Sequence, residues 1–378
     1  MLKNRATRRS SGIYLISSII CWIVFIIVIL FPKRSEDNDI LPVMWILYYY
    51  VAVYIAKCIV LLFNMIGKIP TLWKGKNLNL GLWCGIPLGI LVIIASVWGA
   101  MITRRQIEIK EVTIFSDKIP REFNGYKIVQ FSDAHVGTWG NDTTFIVSLI
   151  DTINSTHPDL IVFTGDIVNR KSSELKPFIN VLKKLSAKDG VISILGNHDY
   201  GDYINWNSNS EKQINLQDLK NMQKEMGWKL LNNETISLKR GESEIQIIGV
   251  ENWGEPPFKQ YGNLEKAYPT DSLHNLNDKY FKILLSHNPE HWNQVVSKTS
   301  NINLTLSGHT HAMQCMLKFG NMEWSPAKYR YEQWGGLYER ISPDGTPNKL
   351  YVNIGAGEVG IPARIGATPE VTLITLRR

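Results

Sequence analysis

The stretch Lys127-Ile-Val-Gln-Phe-Ser-Asp-Ala-His135 is a short apolar run that ends in two metal-binding residue types. Four later apolar runs end in the same kinds of residue, at Asp166, at Asn197 and His198, at His287, and at His309 and His311. In an open α/β sheet the carboxyl ends of the strands line the ligand crevice. We therefore expect these side chains to meet in one place, as the ligands of a two-metal hydrolase centre.

The ligand types divide into two sets that share one residue. One set is Asp133, His135, Asp166 and His311, and the other is Asp166, Asn197, His287 and His309. Because a carboxylate has two oxygens, Asp166 is expected to bridge two cations about 3.5–4 Å apart. Imidazole, carboxylate and amide ligands together suit Mn²⁺, Fe or Zn²⁺ better than Ca²⁺ or Mg²⁺. We predict two divalent ions and favour Mn²⁺.

The predicted metal pair indicates a reaction at phosphorus. Two cations acidify a shared water to hydroxide and neutralise phosphoryl oxygens, which prepares an in-line attack. His198 stands beside Asn197 but is not needed as a ligand. It is expected to protonate the leaving oxygen or to stabilise the charge that develops there.

Charge is distributed unevenly along the chain. Residues 1–106 contain 12 Lys and Arg but only 3 Asp and Glu, whereas the remaining residues contain 29 and 31. The basic excess therefore belongs to the N-terminal region, which is also the most apolar part of the chain. A nucleic-acid-binding face is not expected, because the rest of the chain is close to neutral.

Three apolar runs in the first hundred residues are long enough to cross a membrane, which needs about 20 residues. They are Ile13 to Phe31, Leu41 to Gly67 with Lys57 as its one charge, and Leu80 to Ile102. A cleavable signal peptide is the alternative for the first run, but its length and the two later runs disfavour it. We predict a multi-pass membrane region over residues 1–105 and a second domain over residues 106–378.

The orientation follows from the basic residues that flank these runs. Seven of them would share one side of the membrane: Lys3, Arg5, Arg8, Arg9, Lys68, Lys74 and Lys76. Four would lie on the other side: Lys33, Arg34, Arg104 and Arg105. The positive-inside tendency favours a cytoplasmic N-terminus, so three spans would place the second domain outside the cytoplasm. Two spans would reverse this assignment.

Strands and helices alternate from Ile107 onward. Asp142 is a candidate N-cap for a helix with apolar residues at helical spacing, and a second helix is predicted near Leu175 to Ala187. The order strand, helix, strand, helix, strand predicts an α/β fold with parallel pairing. Six further strands are predicted after Trp228: Thr235 to Leu238, Glu244 to Val250, Phe281 to Ser286, Asn303 to Ser307, Leu350 to Ile354 and Val371 to Leu376.

The order of the motifs resembles that of a known family. Asp-Ala-His at 133–135, Gly-Asp at 165–166, Gly-Asn-His-Asp at 196–199, His287, and Gly-His-Thr-His at 308–311 are similar to the calcineurin-like metallophosphoesterase signature. The resemblance implies a four-layer sandwich of two mixed β-sheets flanked by helices, with the metal ligands assigned above. The preceding apolar runs and the C-terminal sequence resemble a membrane-tethered branch that includes UDP-2,3-diacylglucosamine pyrophosphatases of lipid A synthesis.

The chain departs from the family pattern at two places. Many members have Asp three residues after the bridging Asp, where it supports the catalytic His, but this chain has Asn169. An amide can form a hydrogen bond but brings no charge. Relatives often follow Gly-His-Thr-His with two glycines, where this chain has Ala312 and Met313. Asp199 either caps a loop or orients His198, and both Asp199 and Asn169 are included among the catalytic candidates.

Three functional classes remain open at this stage. The favoured one is a membrane-anchored phosphodiesterase or pyrophosphatase whose substrate is a lipid-linked phosphate. The second is a phosphoesterase that hydrolyses soluble nucleotides or cell-envelope phosphodiesters. The third is a metal-dependent binding or sensor module without activity, which the complete ligand set disfavours. The sequence does not indicate an oligomeric state.

Other polar and aromatic residues are expected to be structural. His157, His274 and His291 fall outside the strand-end pattern. An aromatic-rich stretch follows the last metal motif and is expected to pack a hairpin, with contact to an acyl chain or sugar as the alternative. Its residues are Trp324, Tyr329, Tyr331, Trp334 and Tyr338. Cys315 is the one cysteine of the second domain, so no disulfide can form within it.

Overall fold

The structure is a computed structural model that describes residues 2–30, 37–69, 79–268, 279–299, 301–320, 322–342, 345 and 347–378. The chain divides into two compact units. One comprises Met1–Ala100 with Gly360–Pro362, and the other comprises Met101–Val359 with Ala363–Arg378. The boundary after Ala100 falls five residues before the boundary predicted after Arg105.

Three helices form the smaller unit in the part of the chain that is described: α1 (Leu2–Leu30), α2 (Asp37–Lys68) and α3 (Leu80–Met101). Two segments are long and apolar enough to cross a membrane, judged by length and composition: Leu41–Lys68 and Leu80–Arg105. The apolar part of α1 runs over Tyr14–Ile27, which is shorter. The first of the three predicted spans, whose last residue Phe31 lies outside the described residues, therefore stays a prediction.

The charge inside the second apolar segment faces a neighbouring helix. Lys57 Nζ donates to Ser17 Oγ at 2.9 Å and to Ser18 Oγ at 3.0 Å, both on α1. Glycine allows α3 to approach α2 closely, because a Cβ at Gly85 would lie 3.0 Å from Phe63 Cβ and 3.1 Å from Val60 Cα. Polar contacts between helices and small residues at their interface are both typical of helices that pack in a membrane.

The larger unit is built on two mixed β-sheets, as the family resemblance implied. The first sheet has the order β1 (Glu108–Phe115), β14 (Glu370–Arg377), β2 (Lys127–Phe131), β3 (Leu160–Phe163), β4 (Val191–Ser193) and β5 (Lys229–Leu230). The second has the order β12 (Gly336–Ile341), β13 (Pro347–Val352), β9 (Leu304–Ser307), β8 (Phe281–Leu285), β7 (Ser243–Gly249) and β6 (Glu234–Arg240). A separate hairpin joins β10 (Leu317–Phe319) to β11 (Met322–Trp324).

The parallel strands of both sheets position the site. β2, β3, β4 and β5 are parallel in the first sheet, and β7, β8, β9 and β13 are parallel in the second. Each strand predicted after Trp228 corresponds to a strand of these sheets. The antiparallel pairs are β14 with β2, β6 with β7 and β12 with β13, which makes both sheets mixed.

In its described residues, the larger unit has the α-helices α4 (Thr144–Ser155), α5 (Ile179–Leu182), α6 (Asn209–Glu225), α7 (Leu264–Ala267) and α8 (Ser297–Thr299). α4 begins two residues after Asp142, whose Oδ1 accepts from the main-chain N–H of Thr144 at 3.0 Å. The helix predicted near 175–187 is wrong in extent, since a 3₁₀ segment Ser172–Phe178 precedes the single turn of α5. Pro177 lacks an N–H, which prevents regular α-helical bonding at that point.

Successive side chains of β2 point alternately into two different hydrophobic cores. Ile128 packs with Leu160 of β3 and Ile283 of β8, so this core lies between the two sheets. Val129 and Phe131 belong to a second core, which contains the apolar face of α4. After its exposed first residue Lys127, β2 is buried on both faces, so its sequence is apolar there except at Gln130.

Candidate metal centre

All seven predicted metal ligands lie just beyond the carboxyl ends of strands. Asp133 and His135 follow β2, Asp166 follows β3, Asn197 follows β4, His287 follows β8, and His309 and His311 follow β9. Both sheets therefore contribute ligands, and their side chains converge at one end of the core that the sheets share. The convergence predicted from the apolar runs is present in the structure.

One group of ligands combines Asp133, His135 and His311, whose ligand atoms lie within 4.8 Å of one another. His311 Nε2 is 3.2 Å from Asp133 Oδ1 and 3.1 Å from His135 Nε2. All three side chains are buried. Two imidazoles and one carboxylate that converge in this way form a suitable half-site for a divalent transition metal.

A second group combines Asp166, His287 and His309 within the same 4.8 Å limit. His287 Nε2 lies 3.1 Å from Asp166 Oδ2, 3.2 Å from His309 Nδ1 and 3.2 Å from Asn197 Oδ1. On its other ring nitrogen, His287 Nδ1 lies 2.8 Å from the carbonyl oxygen of Thr164. A carbonyl only accepts, so Nδ1 carries the proton and Nε2 is directed toward the ligand group.

Asp166 connects the two groups. It also belongs to a third group, with His135 and His198, whose ligand atoms lie within 4.8 Å. Asp166 Oδ2 lies 3.1 Å from His287 Nε2 and 3.7 Å from His135 Nε2. Asp166 Oδ1 accepts from the main-chain N–H of His198 at 2.8 Å. The carboxylate is therefore fixed through Oδ1 and presents Oδ2 to both half-sites, and the donor set fits two divalent metal ions.

The backbone at the ligands adopts an uncommon conformation. Asp133, His135, Asp166, His309 and His311 all have positive φ, between 40° and 77°. This region costs a residue with a Cβ roughly 1–2 kcal/mol, so five such residues represent a substantial local strain. The surrounding sheets and cores maintain the strain, which turns each ligand inward directly after its strand.

Two glycines of the ligand motifs are required by close contacts. A Cβ at Gly196 would lie 2.1 Å from Asp166 Oδ1, and one at Gly308 would lie 2.3 Å from Asp133 Oδ2. Both distances are far below van der Waals contact. Any larger residue at these positions would displace a ligand carboxylate.

Electrostatics keep the ligand carboxyls ionised. Burial disfavours the charged forms of Asp133 and Asp166, but the imidazoles of His311 and His287, respectively, outweigh it. The pKa of each carboxyl therefore lies below its usual range. An ionised carboxylate is the form that binds a cation, whereas a protonated histidine that lowers its pKa must release a proton before its nitrogen can bind metal.

Asp199 is held by main-chain amides. Its carboxylate accepts from the N–H groups of Asp166, Ile167 and Gly196, each at 2.9 Å. Burial, reinforced by the charge of Asp166, raises the pKa of Asp199 to about 7. The contacts join the loop after β3 to the loop after β4, which are the loops that present Asp166 and Asn197.

His198 lies at the mouth of the site and is half-buried. Its Nδ1 is 2.6 Å from the main-chain oxygen of Asn169, so the proton on Nδ1 is donated to that carbonyl. Its ring meets that of His135 edge to face, with 4.8 Å between ring centres. The ring of Tyr203 stacks on the other side at 4.3 Å. His198 therefore has a fixed orientation beside Asp166 without belonging to either half-site.

Asn169 contacts His198 through its backbone and not through its amide. The Asn169 side-chain Nδ2 donates to Thr138 Oγ1 at 2.8 Å, and Thr138 Oγ1 donates to the main-chain oxygen of Glu358 at 2.6 Å. Glu358 is fully buried and pairs with Arg104 at 2.8 Å. A buried polar chain thus runs from the start of the larger unit to the main chain that orients His198.

We expect Asn169→Ala and Asn169→Asp each to keep kcat within about tenfold of the wild type. The main-chain acceptor of His198 remains in both variants, and the lost hydrogen bond to Thr138 contributes about 1 kcal/mol. The measurement is kcat on a small phosphodiester, with metal content determined in parallel. A fall of about 100-fold in Asn169→Ala at full metal content would show that the side chain supports His198 after all.

Several residues that lie at the site could not be assigned to it from the sequence. The Tyr331 hydroxyl lies 3.0 Å from His309 Nε2, and the Tyr203 hydroxyl accepts from Asn197 Nδ2 at 2.7 Å. Arg364 is fully buried and places Nη2 3.4 Å from His311 Nδ1. Tyr331 belongs to the aromatic-rich stretch, where a structural role was expected, and Arg364 belongs to the C-terminal sequence that resembles the membrane-tethered branch, without a role at the site.

The two described histidines outside the strand-end pattern, His157 and His291, do not lie among the candidate ligands. His157 is exposed, whereas His291 is buried, stacks on Trp253 at 5.2 Å and has Nδ1 2.9 Å from Ser286 Oγ. His274 lies outside the described residues. The structural roles expected for His157 and His291 agree with these positions.

Comparison with known proteins agrees with the site. The family profile for the calcineurin-like phosphoesterases matches residues 126–313. The chain is 35% identical over 280 residues to the metallophosphoesterase YkuE of Bacillus subtilis, a match that covers 72% of this chain and 86% of YkuE. It is 28% identical over 297 residues to a zebrafish (Danio rerio) transmembrane protein with a metallophosphoesterase domain, covering 76% of this chain and 62% of that protein.

A third relative is a metallophosphoesterase of Campylobacter jejuni, which is 28% identical over 292 residues, with 77% of this chain and 68% of that protein covered. The matched region therefore covers more than two thirds of the length of each of these two bacterial relatives, but less than two thirds of the length of the zebrafish protein. The matched segment of the family profile contains every candidate ligand from Asp133 to His311.

Proposed function

The chain belongs to the calcineurin-like phosphoesterase family and is a metal-dependent phosphoesterase, and we propose that it is anchored in the membrane and hydrolyses a phosphodiester or pyrophosphate bond of a lipid-linked substrate. The proposed substrates are molecules similar to a UDP-diacylglucosamine. The main support for hydrolytic activity in this proposal is the position of Asp166, whose Oδ2 faces both ligand groups.

The ligand groups would hold one divalent ion each. Asp133, His135 and His311 surround one position, and His287, His309 and Asn197 surround the other, with Asp166 common to both. We propose Mn²⁺ as the ion at both positions. Ions held by these residues would acidify a water and neutralise phosphoryl oxygens. The buried, amide-anchored carboxylates keep their geometry during the reaction, so no reorganisation of these ligands is required.

His198 is proposed to transfer the proton to the leaving oxygen. It lies next to Asp166 but is only half-buried, so a substrate at the metal centre can reach its ring. The carbonyl of Asn169 holds the proton on Nδ1 and leaves Nε2 for the exchange. Asp199 is a positioning residue in this scheme, because its carboxylate joins the two loops that present Asp166 and Asn197.

Membrane anchoring is supported by the two long apolar segments that precede the larger unit. The zebrafish relative is named as a transmembrane protein, which agrees with this proposal. A tether confines the metal centre near the bilayer, where a substrate with acyl chains is concentrated. If α1 also spans the membrane, the basic residues place the larger unit outside the cytoplasm.

The test compares the full-length protein with a truncated protein on a lipid-linked pyrophosphate and on a small soluble phosphodiester. The truncated protein should begin at Met101, because Arg104 is buried against Glu358 and its removal would leave a buried charge without its partner. We expect the truncated protein to hydrolyse the small diester with full-length efficiency, since every ligand lies from Asp133 onward. On the lipid-linked substrate we expect kcat/KM to fall, because remote contacts contribute to the transition state.

Each outcome of this comparison is informative. Equal efficiency of both proteins on every substrate would contradict the lipid-linked proposal and favour soluble nucleotides or cell-envelope phosphodiesters. A metal-loaded full-length protein without activity on any phosphoester would favour a binding or sensor role. The Asp166→Ala variant serves as the inactive control for both the full-length and the truncated protein.

A further inference from the structure

The β10–β11 hairpin, which follows the last metal motif, has one charged face and one apolar face. Residues directly opposite each other in an antiparallel pair project to the same face. The opposite pairs are Leu317 with Trp324, Lys318 with Glu323, and Phe319 with Met322. Because neighbouring residues alternate between faces, the four apolar side chains share one face and the two charged side chains occupy the other.

The charged face contacts the beginning of β1. Lys318 Nζ lies 3.4 Å from Glu108 Oε2, and Glu323 Oε1 lies 3.9 Å from Lys110 Nζ. These exposed ion pairs contribute little stability, but they define which face of the hairpin meets β1. The apolar face therefore points away from β1.

The apolar face is exposed in the structure. Phe319 has 64% of its surface accessible, Met322 has 71% and Leu317 has 42%. The ring of Tyr329, which is 77% exposed, lies edge to face with Trp324 at 6.3 Å and extends the same surface. A short two-stranded hairpin is marginally stable alone in water, and adjacent exposed apolar residues mark an interaction surface.

The anchoring point of the hairpin is close in sequence to an apolar segment. The helical part of the candidate span Leu80–Arg105 ends at Met101, and six residues separate Met101 from Glu108. Seven peptide units reach at most about 25 Å, which limits how far Glu108 can lie from the end of that helix. Since Lys318 pairs with Glu108, the same limit applies to the hairpin.

We propose that the apolar face of this hairpin docks into the interfacial layer of the lipid bilayer that the apolar helices enter. Tryptophan and tyrosine are enriched at this depth of a membrane, and Trp324 and Tyr329 supply both. Lys328, which lies over the Tyr329 ring at 5.3 Å, can extend its amine to the headgroups while its stem stays on the apolar surface. The occupant of the surface is thus phospholipid.

Docking would bring the rim of the metal centre to the membrane surface. In the chain the hairpin lies between His311, a proposed metal ligand, and Tyr331, whose hydroxyl is 3.0 Å from His309 Nε2. A phosphate attached to a membrane lipid would then approach the centre from the bilayer. The inference rests on the proposed membrane anchoring, but it does not depend on which bond is hydrolysed.

The test places the photoreactive residue benzoylphenylalanine at position 322 of the full-length protein in phosphatidylcholine–phosphatidylglycerol vesicles. The matched control carries the same residue at Ile214, which is 59% exposed on α6. After illumination we expect at least roughly tenfold more lipid adduct at position 322, because a docked side chain stays in contact with lipid. Adding Phe319→Asp to the position-322 protein should reduce that adduct, while hydrolysis of a small soluble diester remains unchanged.

The outcomes separate this inference from the proposed anchoring. Loss of the protein from vesicles after an alkaline wash would contradict the anchoring itself. Retention in vesicles, with equal adduct at positions 322 and 214, would overturn the hairpin proposal alone. A protein–protein adduct at position 322 would also overturn it, since the surface would then be covered by a second copy of the chain.

Discussion

Asp166→Ala is expected to remove both metal ions and turnover together. Asp166 Oδ2 faces both ligand groups, so its loss removes one ligand from each position. We expect kcat to fall roughly 10³-fold or more, because metal catalysis supplies several kcal/mol and about 1.4 kcal/mol corresponds to tenfold in rate. The measurement combines elemental analysis of the purified protein with kcat on a small phosphodiester.

The controls distinguish loss of metal from loss of fold. Asp151→Ala removes an exposed carboxylate of α4 and should keep both metals and activity. Asp166→Asn retains an oxygen that can accept from the His198 amide, so it preserves the local loop while weakening metal binding. Two tightly held metals per chain in a folded Asp166→Ala protein would refute the bridging role.

The two half-sites can be separated with variants of the last motif. His309 belongs to the ligand group with His287, whereas His311 belongs to the group with Asp133 and His135. His309→Ala and His311→Ala should therefore each weaken mainly one metal position, in contrast to Asp166→Ala. Equal loss of both metals in either histidine variant would mean that the positions are filled cooperatively.

The convergence of the candidate ligands could be predicted from the sequence because each follows an apolar run directly. The strands they follow are buried on both faces, so their sequences are recognisable without any other element, and the parallel-sheet rule then brings their ends together. The choice of Asp166 Oδ2 as the shared oxygen could not be predicted. It depends on the amide of His198, which occupies Oδ1 through a contact between two separate loops.

The aromatic residues of the site could not be assigned for a related reason. Tyr331 reaches His309 from a segment more than twenty residues away, and nothing in the local sequence distinguishes this contact from hairpin packing. Likewise, the position of Asn169 in the family pattern suggested that its side chain supports His198. The structure instead gives that contact to its main-chain oxygen, which any residue would supply.

Helix α6 contacts the first core through both apolar and polar side chains. Leu219 is buried there, and Leu216 and Met222 pack against the same core, at the spacing of one helical face. Asn215 accepts from the N–H of Ser172, and Gln223 accepts from Ser193 Oγ. Because polar residues occupy part of the buried face, its apolar stripe is narrower than that of α4 and is a weaker signal in the sequence.

His198→Ala is expected to retain both metals but to lose about 10²–10⁴-fold in kcat, the usual contribution of a positioned acid or base. His198 forms a third group with His135 and Asp166, yet its Nδ1 is committed to the Asn169 carbonyl, and each of the two half-sites has three other candidate ligands. The metal ligands should therefore persist without it. The measurement is kcat at saturating metal, with metal content determined on the same sample, and His157→Ala provides an exposed-histidine control.

The leaving group makes this test specific for proton donation. A nitrophenolate departs without help, whereas an alkoxide needs a proton as the bond to phosphorus breaks. His198→Ala should thus reduce turnover of an alkyl phosphodiester far more than that of a nitrophenyl phosphodiester. An equal loss on both substrates would indicate that His198 stabilises charge on the phosphoryl group instead of donating a proton. Loss of metal would make it a ligand, and a normal rate on both substrates would reduce its stacking between His135 and Tyr203 to a structural contact.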